Sequence, residues 1–101
     1  YGYPVYGVSV FEWDEAKRDA NLVKHGVDFV DALEVFTDPL RIERIDKRRE
    51  HREERCQVVG RVGEQVLFIV YTQRGEARRV ISARRASRDE RRTYIEGCAR
   101  R

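Results

Sequence analysis

The densest chemistry of the chain lies between Arg78 and Arg84, where Arg78, Arg79, Ser82 and Arg84 fall within seven residues. Guanidinium forks hold phosphate or carboxylate bidentately and keep their charge at any physiological pH, and a serine hydroxyl adds one more hydrogen bond. This pattern suits a polyanion. Two other groups could add proton transfer. Lys24-His25-Gly26 offers a cation beside a titrating imidazole. Glu53-Glu54-Arg55, preceded by His51, offers a carboxylate able to accept a proton from a ribose hydroxyl, with Arg55 to hold the phosphate. Each group also has a plainer reading. Arginines solvate surfaces, Lys24 and His25 suit the negative end of a helix dipole, and the acid–acid–arginine trio suits a charge-paired strand start with His51 exposed.

Charge is distributed unevenly. Residues 1–50 hold 8 Lys/Arg against 11 Asp/Glu, and residues 51–101 hold 13 against 7, within a net charge of +3. Arginine supplies 18 of the 21 basic residues, the lysines being Lys17, Lys24 and Lys47. A polyanionic partner for the C-terminal half and an arginine-rich solvated coat both fit. Several classes are disfavoured. The P-loop, G-x-G-x-x-G, H-E-x-x-H and G-x-S-x-G patterns are missing, which makes ATPase, dinucleotide, zinc-protease and α/β-hydrolase readings poor. Paired carboxylates at metal-ligand spacing are also missing, against a two-metal nuclease. Cys56 and Cys98 share no C-x-x-C spacing and read as buried thiols of a reducing cytoplasm.

The elements that must position these groups fit one domain over residues 1–101, with 41% hydrophobic and 39% charged residues. No stretch reaches the roughly 18 apolar residues of a membrane span, and the opening Tyr-Gly-Tyr-Pro-Val-Tyr does not resemble a signal peptide, so a cytoplasmic protein is expected. The chain has no methionine, and its first residues read as a processed end or an added tail. Residues 1–10 form an N-terminal extension or a first strand, the strand spanning Val5–Phe11. Asp14 caps a helix with Ala16, Ala20 and Val23 on one face and Trp13 ahead of the cap; His25-Gly26 ends it. Asp28 caps a second helix that buries Phe29, Ala32, Leu33 and Phe36, with Val27 and Ala32 as a hydrophobic staple and Asp38-Pro39 as the stop.

The period then shortens. Leu40, Ile42 and Ile45 suggest a strand, and the charged run Asp46–Arg55 follows it. Cys56, Val58 and Val62 alternate with polar residues, Gly63-Glu64 makes a two-residue hairpin, and Val66–Tyr71 is apolar on both faces as in a central strand. Arg74-Gly75 turns the chain into a last strand, Ala77–Ala83. Ser87-x-x-Glu90 is a capping box that opens a helix burying Tyr94, Ile95 and Cys98. The fold class is α+β: two N-terminal helices packed on an antiparallel β-meander, then a C-terminal helix, with the helices on one sheet face. Strict alternation along the last strand puts Arg78, Ser82 and Arg84 on one face and Arg79 with Ile81 and Ala83 on the other. Only a bend at the strand end, or one arginine committed to a salt bridge, reconciles that split with a single active surface.

These residues resemble a known family, the BrnT toxins. The resemblance rests on Phe11-Glu12-Trp13-Asp14, Asn21-x-x-Lys24-His25-Gly26-Val27, and Ala32-x-x-Val35-Phe36 followed by Asp38-Pro39. It continues through Glu53-Glu54-Arg55, Tyr71-Thr72-x-Arg74-Gly75 and Arg79-Val80-Ile81-Ser82-Ala83-Arg84-Arg85-Ala86, covering about Phe11 to Tyr94. It implies a type II toxin–antitoxin toxin with a RelE-like fold, a ribonuclease that inhibits translation. The implied partner is a BrnA-like ribbon-helix-helix antitoxin, through which the pair reaches operator DNA. The implied reaction uses no metal or other cofactor: the ribose 2′-hydroxyl attacks the adjacent phosphate of an RNA substrate, leaving a cyclic phosphate and a free 5′-hydroxyl. Carried onto this chain, His25 is acid or base, Lys24 a phosphate contact, Glu54 the alternative base, Arg79 and Arg84 the clamp. Arg55 is an orienting cation, Arg78 an RNA contact, and Ser82 either positions a phosphate or packs under a helix. Tyr94 either reaches the site or fills the core. Two departures stand out: His51-Arg52 replaces the family's Tyr-Gly, and Cys56 replaces a common Phe. A non-catalytic module that represses an operon with its antitoxin, and a plain RNA-binding domain, are the competing readings.

Overall fold

Asp14 starts the first helix as its composition requires: its carboxylate accepts from the amides of Ala16 and Lys17, two donors that the helix itself leaves unpaired. The computed structural model describes residues 5–6, 9–47 and 53–100. Within them the elements run β1 (Val5–Tyr6), β2 (Ser9–Glu12), α1 (Glu15–His25), α2 (Phe29–Ala32), a 3-10 turn (Leu33–Thr37), β3 (Ile42–Asp46), β4 (Arg55–Val62), β5 (Gln65–Arg74), β6 (Ala77–Arg85) and α3 (Arg88–Ala99). Gly26 ends α1 at φ 69°, a left-handed conformation that only glycine adopts cheaply, and its N–H bonds Leu22 O. Asp28 then caps α2 and also takes both forks of Arg18, which lock the two helices together at 2.8 and 3.1 Å. The Arg18 guanidinium holds the Asp28 carboxyl below the usual carboxylate range.

The sheet order is β1-β2-β6-β5-β4-β3. The meander β3–β6 is antiparallel as expected, with β5 central, and the Gly63-Glu64 hairpin joins Val62 to Gln65. The sheet as a whole is mixed, because β2 returns beside β6 in parallel register (Phe11↔Arg78, Glu12↔Arg79). Among the other differences, β3 starts at Ile42 rather than Leu40, and the turn before β6 falls on Gly75-Glu76. His51 and much of the Asp46–Arg55 run lie outside the described residues.

One sheet face carries the main core. Phe29, Ala32, Leu33, Val35 and Phe36 pack there on Val58, Leu67, Ile69, Tyr71, Val80 and Ala83, the Val, Leu, Ile and Phe side chains each worth about 1.5–3 kcal/mol relative to exposure. β4 receives the 3-10 turn at Gly60, where an added Cβ would stand 2.8 Å from Val35 Cγ1. The expected apolar stripe of α1 is not buried: Ala16 and Ala20 are exposed and Val23 is 89% exposed. The physical reason is that α1 runs along the edge of β6 and grips it with a polar side chain. Asn21, buried, donates to Val27 O and Ala83 O at 2.9 and 2.8 Å and accepts from Ala83 N at 3.1 Å. It thus completes the β6 edge beyond the point where β2 stops pairing.

The C-terminal helix departs from the expected one-sided arrangement. Its Ser87–Glu90 capping box is present, but α3 lies against the opposite face, forming a cleft with Ile42, Val59 and Phe68. Tyr94 is buried as expected, whereas Ile95 is 46% exposed and Cys98 half-buried, because α3 meets the sheet along a narrow seam. Cys56 is half-buried too, and both cysteines are unpaired thiols. No helix among the described residues is long and apolar enough to cross a membrane. Replacing Asn21 with Ala strands the buried N–H and C=O of Ala83. Urea denaturation should show a loss of about 2–4 kcal/mol, against a few tenths for Val23→Ala on the exposed side of the same helix.

Candidate functional site

β6 does not keep strict alternation. Val70 pairs Ser82 and Tyr71 pairs Val80, which leaves Ile81 as one extra residue, a β-bulge. The bulge reverses the expected split. Arg79 now shares a face with Ser82 and Arg84, while Arg78 falls on the core face with Val80 and Ala83. The cause is that both Val80 and Ala83 must enter the core, and two positions three residues apart share a face only if one residue is looped out.

The register then builds rows across the face opposite the main core. The first row is Glu12, Arg79, Thr72, Arg55 and Asp46. The second is Ser82, Val70, Gln57 and Arg44, and the third is Arg84, Phe68, Val59 and Ile42. In the first row Thr72 is buried and donates its hydroxyl to Glu54 O at 2.8 Å. Arg79 Nη1 stands 3.7 Å from Glu12 Oε1, an ion pair too long for a hydrogen bond. Arg55 presents a buried Nε with no hydrogen-bond partner among the described residues. Such a donor costs about 1–3 kcal/mol until an acceptor arrives.

Other predicted residues have different fates. Arg84 lies 4.1 Å over the Phe68 ring and forks both oxygens of Glu90 at 2.8 and 2.9 Å, holding that carboxyl below its usual range against the opposing effect of burial. Its guanidinium therefore anchors the start of α3 as well as walling the face. Arg78 is 4.6 Å over Phe36 and 5.8 Å over Phe11, on the far side of the sheet. Glu54 precedes Arg55, and its carboxylate acts on the Cys56 thiol, which burial mainly pushes up. Lys24 is exposed and His25 half-buried at the end of α1, and no hydrogen bond or ion pair among the described residues joins either to the arginine rows. Tyr94 fills core and donates to Asp38 Oδ2 at 2.6 Å.

The core-face cluster around Arg78 is chemically quiet. Tyr71 donates to Glu43 Oε1 at 2.6 Å, and burial together with that carboxylate pushes the phenol well above its ordinary value. With Cys56 also raised, neither group is an activated nucleophile. The arginine rows are the better site, and they contain Glu12, Thr72, Gln57 and Arg44, to which sequence reasoning assigned no role. Two non-local facts were missing: the bulge at Ile81, which sets the facing of Arg79, and the parallel β2–β6 pair, which makes Glu12 its neighbour. Among the described residues, no three His, Cys, Asp or Glu side chains come together to hold a metal ion.

Fold and face together define a small α+β domain with an arginine-lined sheet surface suited to a phosphate backbone. Residues 13–90 match the family described as ribonuclease toxin, BrnT, of type II toxin–antitoxin system, and the chain belongs to that family. No curated protein matches the chain. Membership makes it a ribonuclease toxin with an antitoxin partner.

The Arg84–Glu90 contact gives a test of its anchoring role. Arg84→Ala and Glu90→Gln should each cost about 1–2 kcal/mol, and the double variant no more than the worse single one. Glu90 is held below its ordinary value of 4.5, so the coupling is present above that pH and is lost as pH falls through the folded-state value. Double-mutant cycles in urea at neutral and acid pH read both effects.

Proposed function

We propose that the chain is a metal-independent endoribonuclease of RelE-like fold that cleaves RNA through the ribose 2′-hydroxyl and thereby inhibits translation. In this reading a BrnA-like ribbon-helix-helix antitoxin neutralises it and carries the pair to operator DNA. The observation that carries the catalytic part is the first row of the face opposite the main core, where Arg79 and the unpartnered, buried Arg55 Nε flank the buried Thr72 with a carboxylate beside each end.

The roles follow from charge development. The 2′-oxygen attacks phosphorus, the bond to the 5′-oxygen breaks, and extra negative charge accumulates on the non-bridging oxygens between those events. Arg79 and Arg55 stabilise that charge from two sides, and Ser82 in the next row donates to the same phosphate. Glu12, loosely paired to Arg79, accepts the 2′-hydroxyl proton and takes the base role ahead of Glu54, which strand alternation turns to the other side from Arg55. His25 as proton donor to the leaving 5′-oxygen and Lys24 as contact to a flanking phosphate enter by the family resemblance alone, since no contact among the described residues joins either to the row. Arg84 bounds the site, and Arg78 contributes through the core beneath it.

The test uses labelled RNA, free and ribosome-bound, incubated with purified toxin in excess chelator. Cleavage should leave a 2′,3′-cyclic phosphate and a 5′-hydroxyl, should fail where the scissile nucleotide is 2′-deoxy, and should fall about 100-fold or more in Glu12→Gln. Intact RNA in both forms, with folded wild-type protein, would sink catalysis and leave the operon-repressor module as the function.

A further inference from the structure

The third row of the open face does not end in solvent. Ile42, Val59 and Phe68 floor a cleft of about 190 Å3, with Arg44 and Gln57 on its sheet side and Asp89 on its helix side. Its floor is apolar, a poor seat for phosphate, and because the Arg84 guanidinium already lies 4.1 Å over the Phe68 ring, Ile42 and Val59 supply most of the contact for a flat aromatic ring. Successive rows on a strand face are about 7 Å apart, so the cleft opens one row beyond Ser82 and two beyond Arg79. A base in the cleft therefore belongs to a nucleotide whose phosphate lies nearer Ser82, one row away, than Arg79.

The polar groups at the rim are selective. Arg44 donates Nε to Gln57 Oε1 at 3.0 Å, and its terminal nitrogens make no bond among the described residues. Asp89 has a side chain 90% exposed, touched by Arg92 only at 4.0 Å. A cation on one wall and a carboxylate on the other match guanine, which offers O6 and N7 to an arginine fork and N1–H and N2–H to a carboxylate. Adenine places an amino donor where the arginine also donates. Pyrimidines have no second ring to reach both walls.

We propose that this cleft is a nucleobase pocket that reads the residue beside the scissile phosphate and prefers guanine. The proposal rests on the ribonuclease reading, and its test is arranged so that the two can fail separately. Wild-type protein is given a random-sequence RNA pool and the cut sites are sequenced. Guanine should be enriched at one fixed position relative to the cut. Asp89→Asn should reduce that enrichment about 10-fold with cleavage beside other bases unchanged, and Arg44→Ala should reduce it by a similar factor. Val59→Trp, which fills the cleft without altering charge, should abolish it while thermal melting shows the protein folded. Guanosine 3′-monophosphate should bind wild type at least 10-fold tighter than adenosine 3′-monophosphate, and Asp89→Asn should erase the difference.

Cleavage with no base enrichment, or variants that slow every site equally, would overturn the pocket and leave the ribonuclease standing. The same holds if the variants cut with the wild-type profile but escape the antitoxin, for then the cleft seats the partner. Absent cleavage with the guanosine nucleotide preference intact would sink the ribonuclease reading while supporting the pocket.

Discussion

One extra residue in β6 decides what this protein can offer a ligand. A strand that must send Val80 and Ala83 into one core cannot also keep Arg79, Ser82 and Arg84 on the other face, unless the alternation is broken between them. The bulge at Ile81 breaks it. On one side of the sheet the result is Arg78 stacked on the core aromatics, and on the other a cationic row that reaches from Arg79 to Arg55. The row is not simply positive, since Glu12 and Asp46 occupy its ends. Flanking carboxylates lower the self-repulsion of the guanidinium groups.

Holding that bulge in register requires support on both sides of β6. On the outer edge Asn21 replaces a missing strand partner at Ala83, and the left-handed Gly26 after α1 brings the Val27 carbonyl within reach of the same amide. At the far rim Asp38 joins three elements. It caps the 3-10 turn, accepts from the Arg61 amide of β4 and takes the Tyr94 hydroxyl of α3. Burial pushes the Asp38 carboxyl up, but those hydrogen bonds outweigh it and hold the group below its ordinary value. Its contribution is therefore present above the usual carboxylate range and lost as pH falls through the folded-state value. Arg84 and Glu90 tie the strand end to the helix start, so Glu90, which lines the cleft under α3, is held in place by an arginine of the same sheet face.

Much of this architecture was legible in the sequence because it is local. The Asp14 and Asp28 caps, the Gly26 stop, the Gly63 hairpin and the Ser87–Glu90 box all depend on residues within a few positions of each other. The central position of β5 followed from its two apolar faces. What could not be read was non-local. The parallel return of β2, the edge contact of Asn21 and the position of α3 each depend on residues far apart in the chain, and Ile81 carries no local mark of a bulge. The apolar look of Ala16, Ala20 and Val23 misled for a related reason: α1 is held by a polar clamp and buries little of its surface. The resemblance identified the family and the arginines, but the facing of those arginines came only with the register.

Arg78 and Arg79 are neighbours of identical chemistry that differ in the face they occupy, and comparing them tests the account most directly. RNA cleavage by Arg79→Ala, measured beside Arg78→Ala with both shown to be folded, should fall about 100-fold or more, while Arg78→Ala keeps its rate within a few fold and loses thermal stability instead. If Arg78→Ala abolishes cleavage and Arg79→Ala does not, the catalytic surface is on the other side of the sheet and the site described here is wrong.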